Sequence, residues 1–260
     1  MKKLPALQAL VDHADELLDT ASTPDYPNAL NGLQFENTGP VKGIAVAVDF
    51  SIRSIEGTMA AAANLLVVHH GMFWSGLEPH TGRAYAKLRM LLENDIAVYA
   101  SHLPLDRHPS LGNNALLARE LGLKPSAGFA RFREIDIGVQ GTTDVETTEL
   151  ADRVRKFSAS HGTHAVIGGI TDRRQTRRWA ICTGSGASAE TLKEAESAGI
   201  DTLIVGEGPH WTAVQSEEKG LTVMYAGHYA TETLGVRALG EHLSKKFSIP
   251  STFIDAPTGL

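Results

Sequence analysis

Histidines and carboxylates close several apolar runs of this chain, and their types and spacing point to metal chemistry. "LLVVHHG" (65–71) carries four strand-forming residues straight into His69 and His70. Neighbouring side chains on a strand point to opposite faces, so an adjacent pair grips one ion poorly but can reach two. "IAVYASHLPLD" (96–106) ends in His102 and, four residues on, Asp106; "IAVAVD" ends in Asp49. "DTLIVGEGPHW" leads to Glu207 and His210, and "LTVMYAGHYATE" leads to His228 and Glu232. Imidazole and carboxylate are donors that suit zinc, iron, manganese and nickel. On a helix, His228 and Glu232 at i and i+4 share a face roughly 6 Å apart. Such a pair can bind one ion, or its carboxylate can bridge two. Thr231 is placed to cap that helix, with Glu232 at its positive end.

Each signal also has a plain reading. A lone strand-end histidine is more often a hydrogen-bonded structural residue, Asp106 in "PLDRHP" suits a turn, and His228 with Glu232 suits a solvated helix pair. Two buried neutral imidazoles need two separate partners, and it is the concentration of such groups that favours a metal.

The elements that must position these residues alternate along the chain. Strand candidates span 44–50, 65–70, 96–102, 135–141, 164–169, 178–184, 201–208, 221–227 and 251–256, with helix-periodic stretches such as "AYAKLRMLLEND", "TTELADRVRKFSASHG" and "SAETLKEAESAG" between them. This alternation predicts an α/β fold. Ligands of open α/β sheets gather beyond the carboxyl ends of the strands, which is where the histidines and acids fall. Gly122, Pro125 and Gly128 interrupt the pattern near residue 125 and suggest a boundary.

The 260 residues can bury a sizeable core, and a hydrophobic content of 42% with 21% charged residues is that of an ordinary globular protein. A net charge of -6 argues against nucleic-acid binding by bulk electrostatics. No run approaches the ~18 apolar residues of a membrane span, and the start lacks a secretory pattern, so a cytoplasmic protein without membrane contact is expected. The single cysteine, Cys182, rules out an internal disulfide and a thiolate metal cluster and reads as a small core residue.

"NALNGLQ" (28–34), "AVDF" (47–50), "LLVVHHG" (65–71), "YASHLPLD" (99–106), "CTGSGAS" (182–188), "GEGPHW" (206–211) and "AGHYATE" (226–232) occur in the order seen in the Nif-three-like dinuclear metal family, also called the GTP cyclohydrolase type 2 homologues. The chain resembles that family over nearly its whole length, least between about 125 and 175. It departs at "HHGMFWSG", where proline often follows the histidines, and in "GEGPHW", which lacks the usual residues between its acid and its histidine. The resemblance implies metal ligands at His69, His70, Asp106, His228 and Glu232. One division gives His70 and Asp106 to one ion and His69 and His228 to the other, with Glu232 bridging; exchanging the two histidines fits equally well. It further implies two α/β domains with mixed sheets flanked by helices, residues 1–128 plus about 221–260 carrying the ligands and about 129–220 forming the second, and a homohexameric ring.

Two divalent ions about 3.5–4 Å apart activate a shared water and polarise a substrate oxygen. The expected activity is therefore a metal-dependent hydrolase acting on a nucleotide or related heterocycle. The alternative is a non-catalytic metal-holding or metal-delivery protein, or an interaction scaffold. His102 and Glu207 are the candidates for proton transfer or for supporting the ligands, and Asp49 for support. Asn31 and Gln34 either line the pocket or hold a turn. "CTGSGASAETLKEA" reads as a tight strand-to-helix turn, with anion binding by its backbone as the alternative. Trp74 and Trp211 suit an aromatic wall, an inter-subunit contact or a stacking platform for a base.

Overall fold

A computed structural model describes residues 4–169 and 174–260. The chain divides into two units, one of residues 1–105 with 235–256 and one of residues 106–234 with 257–260. In order, its elements are α1 (Leu7–Leu18), β1 (Gly32–Phe35), β2 (Ile44–Asp49), α2 (Ile52–Ala60), β3 (Leu65–His70), α3 (Gly82–Asn94), β4 (Ala97–Ala100), α4 (Leu103–Asp106), α5 (Asn113–Glu120), β5 (Ala127–Phe132), β6 (Ile135–Glu146), α6 (Thr147–Ser160), β7 (Val166–Gly168), β8 (Gln175–Cys182), α7 (Ala189–Ser197), β9 (Thr202–Val205), α8 (His210–Glu218), β10 (Thr222–Tyr225), α9 (His228–Phe247) and β11 (Ser251–Phe253). Both sheets are mixed and flanked by helices, as the α/β expectation required.

The first unit holds a five-stranded sheet in the order β1-β4-β3-β2-β11. Only the β1–β4 pair is antiparallel. β3 lies at its centre and is buried along its whole length, which explains why "LLVV" is continuously apolar rather than alternating. Leu66 and Val68 pack with Ala45, Ile55, Leu91 and Val98 on one face. Burying such side chains contributes about 1.5–3 kcal/mol each. Ser51 starts α2 by a reciprocal bond with Ser54, and Asp95 ends α3 in the left-handed region at φ 53. The first boundary follows β2 and so fixes the position of Asp49; the second precedes β4, which leads to His102.

The second unit holds a six-stranded sheet in the order β5-β6-β8-β9-β10-β7, parallel only through β8, β9 and β10. Its strands sort their side chains between two cores with the period of two that strands impose. Trp179, Ile181, Ile204 and Met224 pack with Leu150, Val154 and Phe157. Ala180, Cys182, Leu203, Val205 and Val223 pack with Phe129 and Leu192. Burial pushes the Cys182 thiol up to about 12, consistent with an inert core residue. α7 is started by Ser188, which accepts from the Thr191 N–H at 3.2 Å, so "GSGAS" is the tight strand-to-helix turn expected of it. Among the described residues no helix is long and apolar enough to cross a membrane.

Candidate functional site

In the first unit β3 delivers His69 and His70 at its carboxyl end, 1% and 7% exposed, and His102 follows the neighbouring β4 at 8%. The Nδ1 of each ring meets an oxygen acceptor. His69 Nδ1 lies 2.9 Å from the Ser101 carbonyl, His70 Nδ1 2.9 Å from Asp49 Oδ1, and His102 Nδ1 2.9 Å from Asp25 Oδ1. A carbonyl only accepts, so His69 Nδ1 carries the hydrogen and its Nε2 the lone pair. The carboxylates demand a proton at Nδ1 of His70 and His102 in the same way. The metal-ligating atoms of the three histidines lie within 4.8 Å of one another. In each ring the far nitrogen is tied down and the near one is left to meet a cation or a proton. Trp74 walls the group, its ring centroid 4.7 Å from that of His70 and 4.6 Å from that of His102.

The second unit carries Asp106, Glu207, His228 and Glu232. Glu232 is 2% exposed and its Oε2 lies 3.2 Å from His228 Nε2. His228 opens α9, so the helix begins before Thr231 rather than at it. Thr231 consequently does not cap the helix by its side chain as the sequence suggested. Its hydroxyl donates to the His228 carbonyl and accepts from the Gly184 N–H at 3.1 Å, tying α9 to the turn after β8. Glu207 Oε1 stands 2.8 Å from His228 Nδ1, repeating the pattern of the first unit. Burial alone would lower the His228 pKa; the Glu232 and Glu207 carboxylates outweigh it and raise it to about 9. Asp106, 7% exposed, accepts from Asn113 Nδ2 at 2.8 Å, while Asn114 Oδ1 accepts from the Thr183 N–H.

Gly184 shows how closely this set is built. Its φ is +62, and a Cβ there would stand 2.2 Å from Glu232 Oε1 and 3.5 Å from His228 Nε2. Only glycine leaves that carboxylate and imidazole clear, so the donor chemistry and the space around it both fit a cation.

Sequence reasoning missed Asp25. It lies 77 residues from His102, in "TPDYPNALNG", where an acid among prolines and asparagines reads as a turn former. Asn31 and Gln34 are buttresses: Asn31 Oδ1 accepts from the His102 N–H and Gln34 Oε1 accepts from the Met72 N–H, two residues past His70. Trp211 lies on α8 at 40% exposure, and His210 beside it is exposed.

These features define an α/β protein with His/Glu groups suited to metal ions. The sequence profile of the Duf34/NIF3 family (NGG1p interacting factor 3) matches residues 5–258, and the chain belongs to that family. It is 39% identical over 257 residues to a GTP cyclohydrolase 1 type 2 homolog of Deinococcus radiodurans, covering 96% of this chain and 93% of that one. The corresponding Pseudomonas aeruginosa protein is 38% identical, with 97% and 98% covered. Among solved structures, protein ybgI, described as of unknown function, superposes with a TM-score of 0.87 at 36% identity over 97% of this chain and 99% of that one. TTHA1606 of Thermus thermophilus gives 0.80 at 32%, with 97% and 99% covered.

Proposed function

We propose that the protein is a cytoplasmic dinuclear-metal hydrolase acting on a nucleotide or a related heterocycle, with ring opening of the GTP cyclohydrolase 1 type 2 kind as the reaction its relatives' names suggest. The observation that carries this reading is the common state of His69, His70, His102 and His228, each bonded at Nδ1 to an oxygen acceptor. The residues that would hold the divalent ions are the five the family resemblance implied, His69, His70, Asp106, His228 and Glu232. The metal is zinc, iron, manganese or nickel, since imidazole and carboxylate serve all four. When bound, such a pair supplies Lewis acidity and lowers the pKa of water towards neutrality.

The chain's own residues do the rest. His102 takes a proton at Nε2 from the attacking water and delivers it to the departing atom of the substrate. Glu207 and Asp49 hold His228 and His70 in orientation, and Trp74 keeps one wall of the pocket apolar. A homohexameric ring is the proposed assembly. The decisive experiment combines element analysis, giving ions per chain, with a panel of nucleotides and heterocycles assayed for metal-dependent hydrolysis. His102→Ala should lose turnover with both ions retained. No turnover above the metal-free protein across the panel, or loss of activity only where metal is also lost, overturns the hydrolase. The family description as an interacting factor favours one second reading, a metal-stabilised interaction scaffold without catalysis.

A further inference from the structure

We propose that Asp25, supported by Asn31, is a positioning residue that fixes His102 as the Nδ1–H tautomer with Nε2 presented to His69 and His70. The proposal rests on the reading of His102 as a proton carrier for its consequence, but its geometry stands apart from that reading.

Every hydrogen-bonding atom of this arrangement has an assigned role. The Asp25 side chain is 6% exposed, and its Oδ1 accepts from His102 Nδ1 at 2.9 Å and from the Tyr26 N–H at 2.7 Å. Its Oδ2 accepts from Asn31 Nδ2 at 2.8 Å and from the Leu103 N–H at 2.9 Å. Asn31 Oδ1 completes the ring of bonds by accepting from the His102 N–H at 2.7 Å. Two of these bonds hold the backbone on either side of the His102 Cα, and one holds the ring, so a ring flip would break the Asp25 bond. Burial favours the neutral Asp25 acid, but the bonds from His102, Asn31 and Leu103 outweigh it and hold the carboxyl below its ordinary range. An ionised Asp25 is acceptor-only, which excludes a lone pair at His102 Nδ1.

The segment reaches further than His102. Gln34 donates to the Ala29 and Leu30 carbonyls while accepting from the Met72 N–H at 2.6 Å, and Asn28 Nδ2 donates to the Trp74 carbonyl at 2.6 Å. One loop therefore holds both His102 and the turn after His70. Leu30 adopts φ 40, a left-handed conformation that a leucine takes only where its surroundings impose it.

The arrangement makes an unusual prediction for Asp25→Asn. The Oδ2 position meets Asn31 Nδ2 and the Leu103 N–H, two groups that only donate, whereas Oδ1 meets the Tyr26 N–H and the His102 ring. The imidazole alone among the four can turn acceptor, so the new amide places its oxygen at Oδ2 and turns its NH2 towards His102 Nδ1. That nitrogen must then accept, and the proton moves to Nε2. Nitrogen-15 NMR of histidine-labelled, metal-free protein reads the change directly. Wild type should show a protonated Nδ1 and an unprotonated Nε2 at His102, Asp25→Asn the reverse, and Asp25→Glu the wild-type pattern restored. Unchanged His102 nitrogen shifts in Asp25→Asn overturn the proposal. If that variant fails to fold, Asn31→Ala serves instead: it frees Oδ2 from one donor and should broaden or split the His102 signals, and unaltered signals count against the clamp. Zinc titration should give equal stoichiometry in wild type and Asp25→Asn. With a substrate found, Asp25→Asn should lower kcat at least about tenfold with little change in KM; loss of zinc binding in place of a tautomer change also overturns the proposal. Failure to find a substrate bears on the hydrolase reading alone, because the tautomer is measured without turnover.

Discussion

Oxygen acceptors at Nδ1 of four histidines, and a glycine that leaves room for a carboxylate, are features of single residues, and their consequences can be tested there. Asp25 titrates lower in the fold than the 3.8 of an ordinary aspartate. Its contribution to stability is therefore fully present above that value and is lost as the pH falls through the lower folded value. Denaturation midpoints measured between pH 2 and 6 should fall less steeply on the acid side for Asp25→Asn than for wild type; parallel curves would show that His102 gives no such stabilisation. Gly184→Ala must accept φ +62 and displace Glu232, costing at least about 1 kcal/mol. Element analysis should show at least one ion fewer per chain, and a full complement with an unchanged melting temperature would refute the tight fit of Gly184 against Glu232. His69, His70, His228 and Glu232 were legible in sequence because they stand at strand ends or at helical spacing. Asp25 was not, since nothing in its local pattern distinguishes a buried acceptor from a turn former.

At the scale of elements, strands rich in β-branched residues declared themselves and polar or interrupted ones did not. All nine strand candidates correspond to strands, while β1 and β5 were passed over. β1 is the four-residue "GLQF", antiparallel at the sheet edge, and its Gln34 reads in sequence as lining a pocket or holding a turn. β5 forms a hairpin with β6 across Arg133-Glu134, with Arg133 at φ 51, a turn lacking the glycine or asparagine that usually marks one. Periodicity also cannot reveal the hydroxyl chain joining α6, β8 and β9. Thr176 Oγ1 bonds Thr147 Oγ1 at 3.0 Å and Thr202 Oγ1 at 2.8 Å, all three side chains fully buried. Thr176→Val keeps the shape and removes the central hydroxyl, which should cost about 1–3 kcal/mol in denaturant unfolding. A neutral outcome would mean that Thr147 finds another partner.

For the whole molecule, removal of metal is the broad test. A ligand that binds only the folded chain stabilises it by mass action, so chelation should lower the melting temperature and re-addition of zinc should restore it. A temperature indifferent to chelator would count against any resident ion. The connectivity carries a different consequence. The first unit takes its edge strand β11 from residues 251–253, whereas among the described residues the strands of the second unit lie between 127 and 225. During synthesis the later-begun half can close its sheet while the earlier-begun half still waits for its border, β2 standing open along the edge that β11 will cover. The sheet begun earlier is thus finished later, and a stop codon placed after residue 234 would strand Ala45 and Val46 at an unpaired margin prone to clumping.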